Sequence, residues 1–353
     1  MAANGAETAG QGMTSDATEA VGEQACASNR SGEVVLPASV RPGRYAAIDI
    51  GTVTCRMLVA DVDASGNLSE LTCEYAITNL GEGVDATGRL KPEAISRVVE
   101  TVKSFLAVRD SYLTPTCPRI ETVAMATSAS RDAENAADFQ AALREIGVEL
   151  TVIPGQREAE LSFSGASCDF AGEDLMVIDI GGGSTEVVVG AAQGAPRWAH
   201  SFDIGCRRVT ERFLAGDPPT EAELADAREW VAAEMRGLFA EAKEVAGGEF
   251  RLVAVAGTAT TIVTVRDGIT EYDSKLVHKQ QVTRAELDGQ YDELKAMTTA
   301  VRQQVPGLDP GRAPVIVAGL LIMQAVMDLA GVRAFTVSET DILHGIILDA
   351  AGE

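Results

Sequence analysis

The feature of this sequence that most constrains its fold is a short phrase that occurs twice, Asp-Ile-Gly at residues 49–51 and again at 179–181. Each copy follows a short apolar run and precedes a turn rich in Gly, Thr and Ser, after which a second apolar run begins. This pattern predicts a β-hairpin whose first strand ends in a carboxylate. Two such hairpins on facing domains would make a clamp for phosphate and a metal ion, so the repeat favours phosphoryl-transfer chemistry.

Length, charge and cysteine usage exclude several classes of protein. The chain has 353 residues, enough for about two domains, and its net charge is −23. Such acidity argues against a duplex nucleic-acid binder that lacks a strong basic patch. The six cysteines form no Cys-x-x-Cys pair, so we expect free thiols rather than a zinc site. Without a long apolar run or a signal-peptide pattern, the default expectation is a cytoplasmic protein with no membrane partner.

The chain is predicted to contain three regions. Residues 1–43 have almost no large apolar side chains and are expected to form a disordered tail. Residues 44–166 are predicted to form domain I, which starts with strands and continues as alternating strands and helices. Residues 167–353 are predicted to form domain II, which restarts with a hairpin. This alternation is typical of an α/β fold.

The second copy of the phrase carries the stronger chemical signal. Three consecutive glycines, Gly181, Gly182 and Gly183, leave no side chain between a ligand and the backbone, and Ser184 follows them. Their amides can point into one concavity and bind anionic oxygens. Asp179, just before them, is placed to hold Mg²⁺ that bridges those oxygens. The alternative is a tight hairpin turn with a surface acid.

The first copy is weaker alone. Asp49, Gly51 and Thr52 offer a carboxylate, amides and a hydroxyl, and Arg56 could add positive charge. A purely structural hairpin explains these residues equally well, but the kinship with the second copy favours a phosphate contact.

Two further loops carry candidate catalytic groups. Arg131 follows a buried strand and is expected near the carboxyl end of the sheet, where it would suit phosphate oxygens. The next predicted helix starts with Glu158 and Glu160, and one of them could be the general base that activates water. Composition does not choose between them. A solvated arginine, and acids that merely cap a helix, would explain the same residues without catalysis.

Two more elements could bind anions. Gly257 and Thr258 are predicted to open a helix directly after a buried strand, a common anion site. Arg207 and Arg208 follow another glycine turn. Each of these pairs could equally lie on the surface with its polar groups already hydrogen-bonded.

The order of the motifs resembles the exopolyphosphatase/guanosine pentaphosphate phosphohydrolase (Ppx/GppA) family over residues 45–348. The motifs that carry the resemblance are Asp-Ile-Gly, Ala-Thr-Ser-Ala-x-Arg, Gly-x-x-Glu-Ala, Asp-Ile-Gly-Gly-Gly-Ser-Thr-Glu and Gly-x-x-Arg-x-Thr-Glu. The resemblance implies a duplicated actin/hexokinase/Hsp70-like (ribonuclease H-like) fold, with two domains and an interdomain cleft. The residues at 311–316 and 337–341 resemble those of the short two-domain bacterial members. One departure is Val53, where the family often has Asn.

The resemblance also implies roles. Glu158 takes the catalytic-base position, and Arg131 the position over the phosphate. Asp179 matches the metal-associated acid, Asp49 belongs to the first phosphate hairpin, and Glu186 is the acid that closes the second string. Mg²⁺ is the implied cofactor, with Mn²⁺ as the alternative, and we expect Asp49 and Glu186 to help Asp179 hold the metal. A homodimer is a further implication.

The function that these observations favour is metal-dependent release of orthophosphate from the end of inorganic polyphosphate. A guanosine pentaphosphate (pppGpp) 5′-phosphohydrolase would use the same chemistry. The sequence also leaves open a sugar or acetate kinase of the same superfamily, and a non-catalytic sensor of polyphosphate or alarmone.

Overall fold

The structure is a computed structural model that describes residues 40–352, all within one compact unit. Most of the predicted tail, residues 1–39, lies outside this range. The last part of that predicted segment joins the fold, because Gly43 begins the first strand and the Arg41 amide donates a 2.8 Å hydrogen bond to the Ala351 carbonyl.

The first lobe contains a five-stranded mixed sheet. Its central strand pairs antiparallel with the second strand and parallel with the fourth. The order across the sheet is 3-2-1-4-5. The strands are β1 (Gly43–Ile50), β2 (Thr54–Val62), β3 (Leu68–Ile77), β4 (Glu121–Ala126) and β5 (Leu150–Val152).

The second lobe repeats this topology in a six-stranded sheet, and the repeat confirms the predicted duplicated fold. The strands are β6 (Asp174–Ile180), β7 (Thr185–Ala191), β8 (Pro196–Phe202), β9 (Arg251–Val255), β10 (Gln281–Thr283) and β11 (Ala334–Val337). Their order is β10-β11-β9-β6-β7-β8. Strand β6 is flanked by antiparallel β7 and parallel β9, as β1 is flanked by β2 and β4. Strand β10 is an added edge strand.

Helices connect the strands. They are α1 (Val84–Thr87), α2 (Pro92–Asp110), α3 (Ser128–Asp132), α4 (Ala136–Arg144), α5 (Gly155–Ala166), α6 (Cys206–Phe213), α7 (Glu221–Ala246), α8 (Ala256–Asp267), α9 (Ser274–Val277), α10 (Arg284–Lys295), α11 (Thr299–Arg302), α12 (Ile316–Ala330) and α13 (Ile342–Gly352). A 3-10 turn spans Ser167–Asp169.

Local sequence explains several helix ends. Pro92 occupies the first turn of α2, where its missing N–H costs nothing. Thr220 and Glu223 form a capping box at the start of α7.

Helix α12 is buried on nearly all sides, as its apolar sequence predicts. Within residues 40–352, no helix has both the length and the apolar character needed to cross a bilayer.

Helices α5 and α13 lie between the two sheets and join the lobes. Helix α13 packs on the face of the first sheet through Ile342, Leu343, Ile346 and Ile347, although the sequence-based division places it in domain II. Helix α5 packs its Phe163 against the second sheet. Their close crossing requires glycine, because a Cβ on Gly165 or Gly345 would collide with backbone of the other helix. The outer faces of the sheets are covered by α2 and α4 in one lobe, and by α7, α8 and α12 in the other.

Candidate active site

A cleft of about 1000 Å³ lies between the lobes, at the carboxyl ends of the central strands β1 and β6. Loops of both Asp-Ile-Gly hairpins line it. Each loop is closed by the same tight bond, from the Gly51 amide to the Thr54 carbonyl at 2.9 Å and from the Gly181 amide to the Ser184 carbonyl at 3.0 Å. The cleft therefore occupies the position where open α/β sheets bind ligands.

The carbonyl groups of the second loop are held on one side by the start of α6. The Gly181 carbonyl accepts from the Cys206 amide at 3.0 Å, and the Gly182 carbonyl accepts from the Arg207 amide at 2.9 Å. Among the described residues, the amides of Gly182, Gly183 and Ser184 have no acceptor. Three adjacent N–H groups that line a cleft without a protein partner form a cradle for an anion.

In the first loop, too, the carbonyl groups have hydrogen-bond donors within the protein. Its Thr52 carbonyl accepts from the Gly81 amide, and its Val53 carbonyl accepts from the amides of Thr78 and Asn79. The amides of Thr52 and Val53 themselves have no acceptor in the described part of the chain. The replacement of Asn by Val at position 53 therefore leaves the backbone cradle intact.

The glycines of the second loop are required by packing between the lobes. A Cβ on Gly182 would collide with Val53 and Thr52, and a Cβ on Gly183 would collide with the Ser128 and Thr52 hydroxyl oxygens. The two loops thus touch each other directly. The three-glycine run brings the two cradles together, in addition to keeping side chains away from a ligand.

Asp49 and Asp179 both line the cleft but have different partners. Asp49 accepts from the Arg56 guanidinium at 2.8 Å, and Arg56 also pairs with Asp341. Among the described residues, Asp179 accepts a hydrogen bond only from the Ser162 hydroxyl, at 2.8 Å. Burial raises the pKa of Asp179 to about 6, and the charges of Asp341 and Asp49 add to the rise.

Glu158 also lines the cleft, in the first turn of α5. Its carboxylate accepts a 2.8 Å hydrogen bond from Arg131, which also donates to the Ile153 carbonyl at 3.1 Å. Burial raises the pKa of Glu158 to about 7; Arg131 opposes the rise, while Asp179 and Asp49 add to it. A carboxylate with this pKa can take a proton near neutral pH. The structure thus separates Glu158 from Glu160, whose partners are the nearby Gln156 and Arg157.

Arg131 does not line the cleft, although the sequence predicts that it lies over the phosphate. Its guanidinium donates to the Glu158 carboxylate and to the Ile153 carbonyl just after β5, from a position in α3, which begins shortly after β4. In this structure Arg131 acts on the candidate base.

Glu186 is almost completely buried and does not line the cleft. Ser201 donates to it at 2.6 Å, and its pKa lies well above the ordinary value because of burial and the nearby Glu158 and Asp179. Direct metal ligation by Glu186 therefore does not fit this structure.

The described acids near the cleft do not by themselves form a complete set of metal ligands. Within residues 40–352, no group of three or more His, Cys, Asp or Glu is arranged to hold an ion. Mg²⁺, however, is commonly held by one or two carboxylates together with phosphate oxygens and water. Asp179 and Asp49 supply such donors beside the two cradles, and within residues 40–352 Asp179 forms no ion pair, only a hydrogen bond from the Ser162 hydroxyl.

The start of α8 forms another part of the cleft wall. Gly257 lines the cleft, and a Cβ there would collide with the guanidinium of Arg312. Thr258 is turned away: its hydroxyl donates to the Ile180 carbonyl at 3.3 Å. The predicted contact of Thr258 with phosphate is therefore not supported by its position.

Arg312 is a cleft residue that the sequence patterns do not predict. It is 6% exposed, and no described acid forms an ion pair with it; its side chain donates to the Tyr75 hydroxyl at 3.4 Å. It lies in the loop before α12, where no predicted site residue falls. A buried guanidinium without an acid partner is a strong candidate for binding an anionic ligand.

Arg207 and Arg208 do not reach the cleft as predicted. Arg207 pairs with Glu211 and Asn79, and Arg208 pairs with Asp85 and Asp132 of the first lobe. These guanidinium groups already have polar partners, so they bridge the lobes beside the phosphate loop instead of lining the ligand path.

Comparisons with known proteins agree with this geometry. The sequence pattern of the Ppx/GppA phosphatase family matches residues 58–353. Exopolyphosphatase 2 of Mycobacterium tuberculosis is 39% identical over 326 residues, which cover 88% of this chain and 99% of that protein. The crystal structure of an exopolyphosphatase-like protein superposes with a TM-score of 0.79 at 32% identity, covering 88% of this chain and 98% of the other. The Aquifex aeolicus member of the Ppx/GppA family gives a TM-score of 0.70 at 28% identity, covering 88% and 97%.

Proposed function

This chain belongs to the Ppx/GppA phosphatase family, and we propose that it is an exopolyphosphatase, which hydrolyses the terminal phosphoanhydride bond of inorganic polyphosphate and releases orthophosphate. The observation that carries this proposal is the meeting of two backbone amide cradles with Glu158 in one cleft. The M. tuberculosis relative, named as an exopolyphosphatase, matches over nearly its whole length.

The residues present account for the steps of hydrolysis. The two cradles would bind the oxygens of the terminal phosphate, where charge spreads in the transition state. Glu158 would accept a proton from the attacking water, while Arg131 keeps its carboxylate in place. Positioning and charge stabilisation supply most of the catalysis in such reactions.

The charge of the cleft supports a requirement for a divalent cation. Besides Asp179 and Glu158, Glu339 lines the cleft with a pKa that burial raises to about 7. A polyanion that enters beside these acids needs positive charge, and Arg312 supplies only part of it. We therefore propose Mg²⁺, with Mn²⁺ as the alternative, held by Asp179 and Asp49. When bound, the ion would neutralise charge on the terminal phosphate.

A specific observation keeps pppGpp as a second candidate substrate. Tyr75 and Tyr272 line the cleft with 45% and 57% of their surface exposed. Exposed tyrosine rings offer stacking surface to a base, for which an inorganic chain has no use. A cytoplasmic location and a homodimer also remain proposals, supported by the sequence pattern and the family resemblance respectively.

The test is time-resolved phosphate release from short polyphosphate, long polyphosphate and pppGpp, each with Mg²⁺ and with Mn²⁺. We expect turnover of polyphosphate that disappears on chelation. Glu158→Gln should reduce turnover by about 10²–10⁴, the usual contribution of a general base, whereas Glu160→Gln serves as the matched control and should stay near wild type. Tight polyphosphate binding without turnover would instead indicate a sensor, and exclusive turnover of pppGpp would assign the second candidate.

A further inference from the structure

One guanidinium group, that of Arg208, connects the phosphate loop to the opposite lobe. Its Nε donates to the Gly183 carbonyl at 2.9 Å, and its two terminal nitrogens pair with Asp85 and Asp132. The side chain is only 12% exposed. The Nε and both terminal nitrogens of the guanidinium therefore each have a partner. The bond from Nε holds the Gly183 carbonyl, which belongs to the loop whose amides form the cradle.

The partner of Arg208 in the first lobe is adjacent to the residue that holds the candidate base. Arg131 and Asp132 are consecutive in α3. Arg131 donates to the Glu158 carboxylate, while Asp132 accepts from Arg208. Ser128, in the same short helix, is the neighbour that leaves no room for a Cβ on Gly183. A five-residue helix thus touches both the base and the phosphate loop.

We propose that Arg208 is a positioning residue for hydrolysis: through Asp132 it locks the Gly183 peptide to α3, and so fixes the distance between the amide cradle and the Glu158 carboxylate. The inference rests on the proposed function only in treating Glu158 as the base. A phosphate held in the cradle then has one position relative to the water that Glu158 activates. Misplacement by about 1 Å can reduce a rate by about 10²-fold.

The chain contains a matched control for this role. Arg212 lies one turn further along α6 and shares Asp85 as its acid partner. Its guanidinium rests over the Trp230 ring at 5.2 Å, and within the described residues it makes no hydrogen bond to the phosphate loop or to Asp132. Loss of Arg212 removes a bridge between the lobes without releasing the Gly183 peptide.

The experiment compares Arg208→Met, Arg208→Lys and Arg212→Met in the full-length protein. We expect Arg208→Met to lower kcat/KM for polyphosphate by about 10²-fold. Arg208→Lys should recover little of this, because an ammonium cannot bond to three partners in a plane. Arg212→Met should change kcat/KM by no more than about fivefold, as is typical of partly exposed ion pairs.

A second pair of variants distinguishes positioning from general stability. Asp132→Asn weakens the bond that holds α3 and therefore Arg131 in position. Arg131 then stabilises the Glu158 carboxylate less, so the pKa of Glu158 should rise. The acidic limb of the kcat/KM profile should move to higher pH. Asp85→Asn weakens both arginine bridges but leaves α3 in place, so it should lower the Tm without moving that limb. If Arg208→Met lowers the Tm while KM, kcat and the pH profile stay at wild-type values, Arg208 is a structural bridge and the proposal is wrong.

Failure of the proposed function can be separated from failure of this inference. If the wild-type protein releases no phosphate from polyphosphate with either metal, the exopolyphosphatase assignment fails. The cradle can still be tested by calorimetric titration with tripolyphosphate. Arg208→Met should then bind at least about tenfold more weakly than wild type, as expected when an oriented donor site is lost. Arg212→Met should bind normally, and equal affinities of the two variants would overturn the proposal.

Discussion

The two Asp-Ile-Gly hairpins share a backbone design but carry opposite charges at an equivalent position. In the first, Asp49 lies directly across the strand pair from Arg56, and the two form a salt bridge. In the second, Asp179 lies directly across from Glu186. The first hairpin therefore neutralises its own acid, whereas the second places two buried acids side by side, an arrangement that is unfavourable without a cation or a proton.

The two amide cradles of the cleft therefore differ in the charge of the groups beside them. The first is anchored by Arg56, which also reaches Asp341 before α13 and so ties the loop to the lobe interface. The second hairpin carries two acids: burial raises the pKa of Glu186 well above its ordinary value, and Asp179 lines the cleft. We infer that the second hairpin does most of the chemistry and the first does most of the positioning.

Matched Asn substitutions give the most direct test and the largest expected effect. Asp179→Asn should reduce kcat/KM by about 10²–10³-fold, the loss typical of a main electrostatic group, but should not lower the Tm because it removes an uncompensated buried charge. Asp49→Asn should reverse this pattern, with a lower Tm and a smaller loss of activity, because Arg56 loses one of its two partners. Steady-state kinetics and thermal unfolding of both variants make the comparison. Equal activity losses would mean that the two hairpins are not specialised.

Matched glycine substitutions probe the packing of the same two loops. Gly183→Ala should be the more damaging, because its Cβ would collide with Ser128 and Thr52, and overpacking of this kind costs about 1–3 kcal/mol. At Gly51 the new Cβ would meet the Thr54 carbonyl at 3.3 Å, a much looser contact. We expect a raised KM and a lowered Tm for the first variant and small changes for the second. Normal behaviour of Gly183→Ala would contradict the direct contact between the loops.

The sequence predicted the parts of this comparison that depend on local patterns. Short apolar runs and glycine turns located both hairpins, and the duplicated sheet topology confirms the fold that the motif order implied. The structure also places Glu158 and Asp179 in the cleft, although their catalytic and metal roles remain predictions.

What the sequence could not give were contacts made only in three dimensions. The partners of Arg208 lie 123 and 76 residues away, so nothing near it reveals that its charge is already used. Arg312 is buried without an acid partner among the described residues, and the absence of a partner cannot be seen in the sequence.

The buried acids that line the cleft should titrate within an accessible pH range. The folded-state pKa of Glu158 is raised to about 7 and that of Asp179 to about 6. The folded protein therefore binds more protons than the unfolded chain below these values, and its stability should decrease as pH rises from about 4 to about 7. Activity should change in the opposite direction, with kcat/KM falling about tenfold for each pH unit below about 7.

Thermal unfolding and kinetics across this range, on wild type and Glu158→Gln, measure both trends. The substitution should flatten the upper part of the stability decrease, since its amide does not titrate. A stability curve for the variant that parallels wild type between about pH 5 and about pH 7 would place the raised pKa on another group.

The smallest expected effect separates side chains from backbone in the first cradle. Thr52 lines the cleft and its hydroxyl lies close to Gly183. If the amides bind the phosphate, Thr52→Val, which keeps the shape and removes the hydroxyl, should raise KM by about two- to tenfold, the value of one ordinary hydrogen bond. Thr54→Val, at the far end of the same loop, is the control and should change KM less. A loss for Thr52→Val as large as that for Asp179→Asn would move the main phosphate contact from the backbone to this hydroxyl, and the first hairpin would then share the chemistry that we assign to the second.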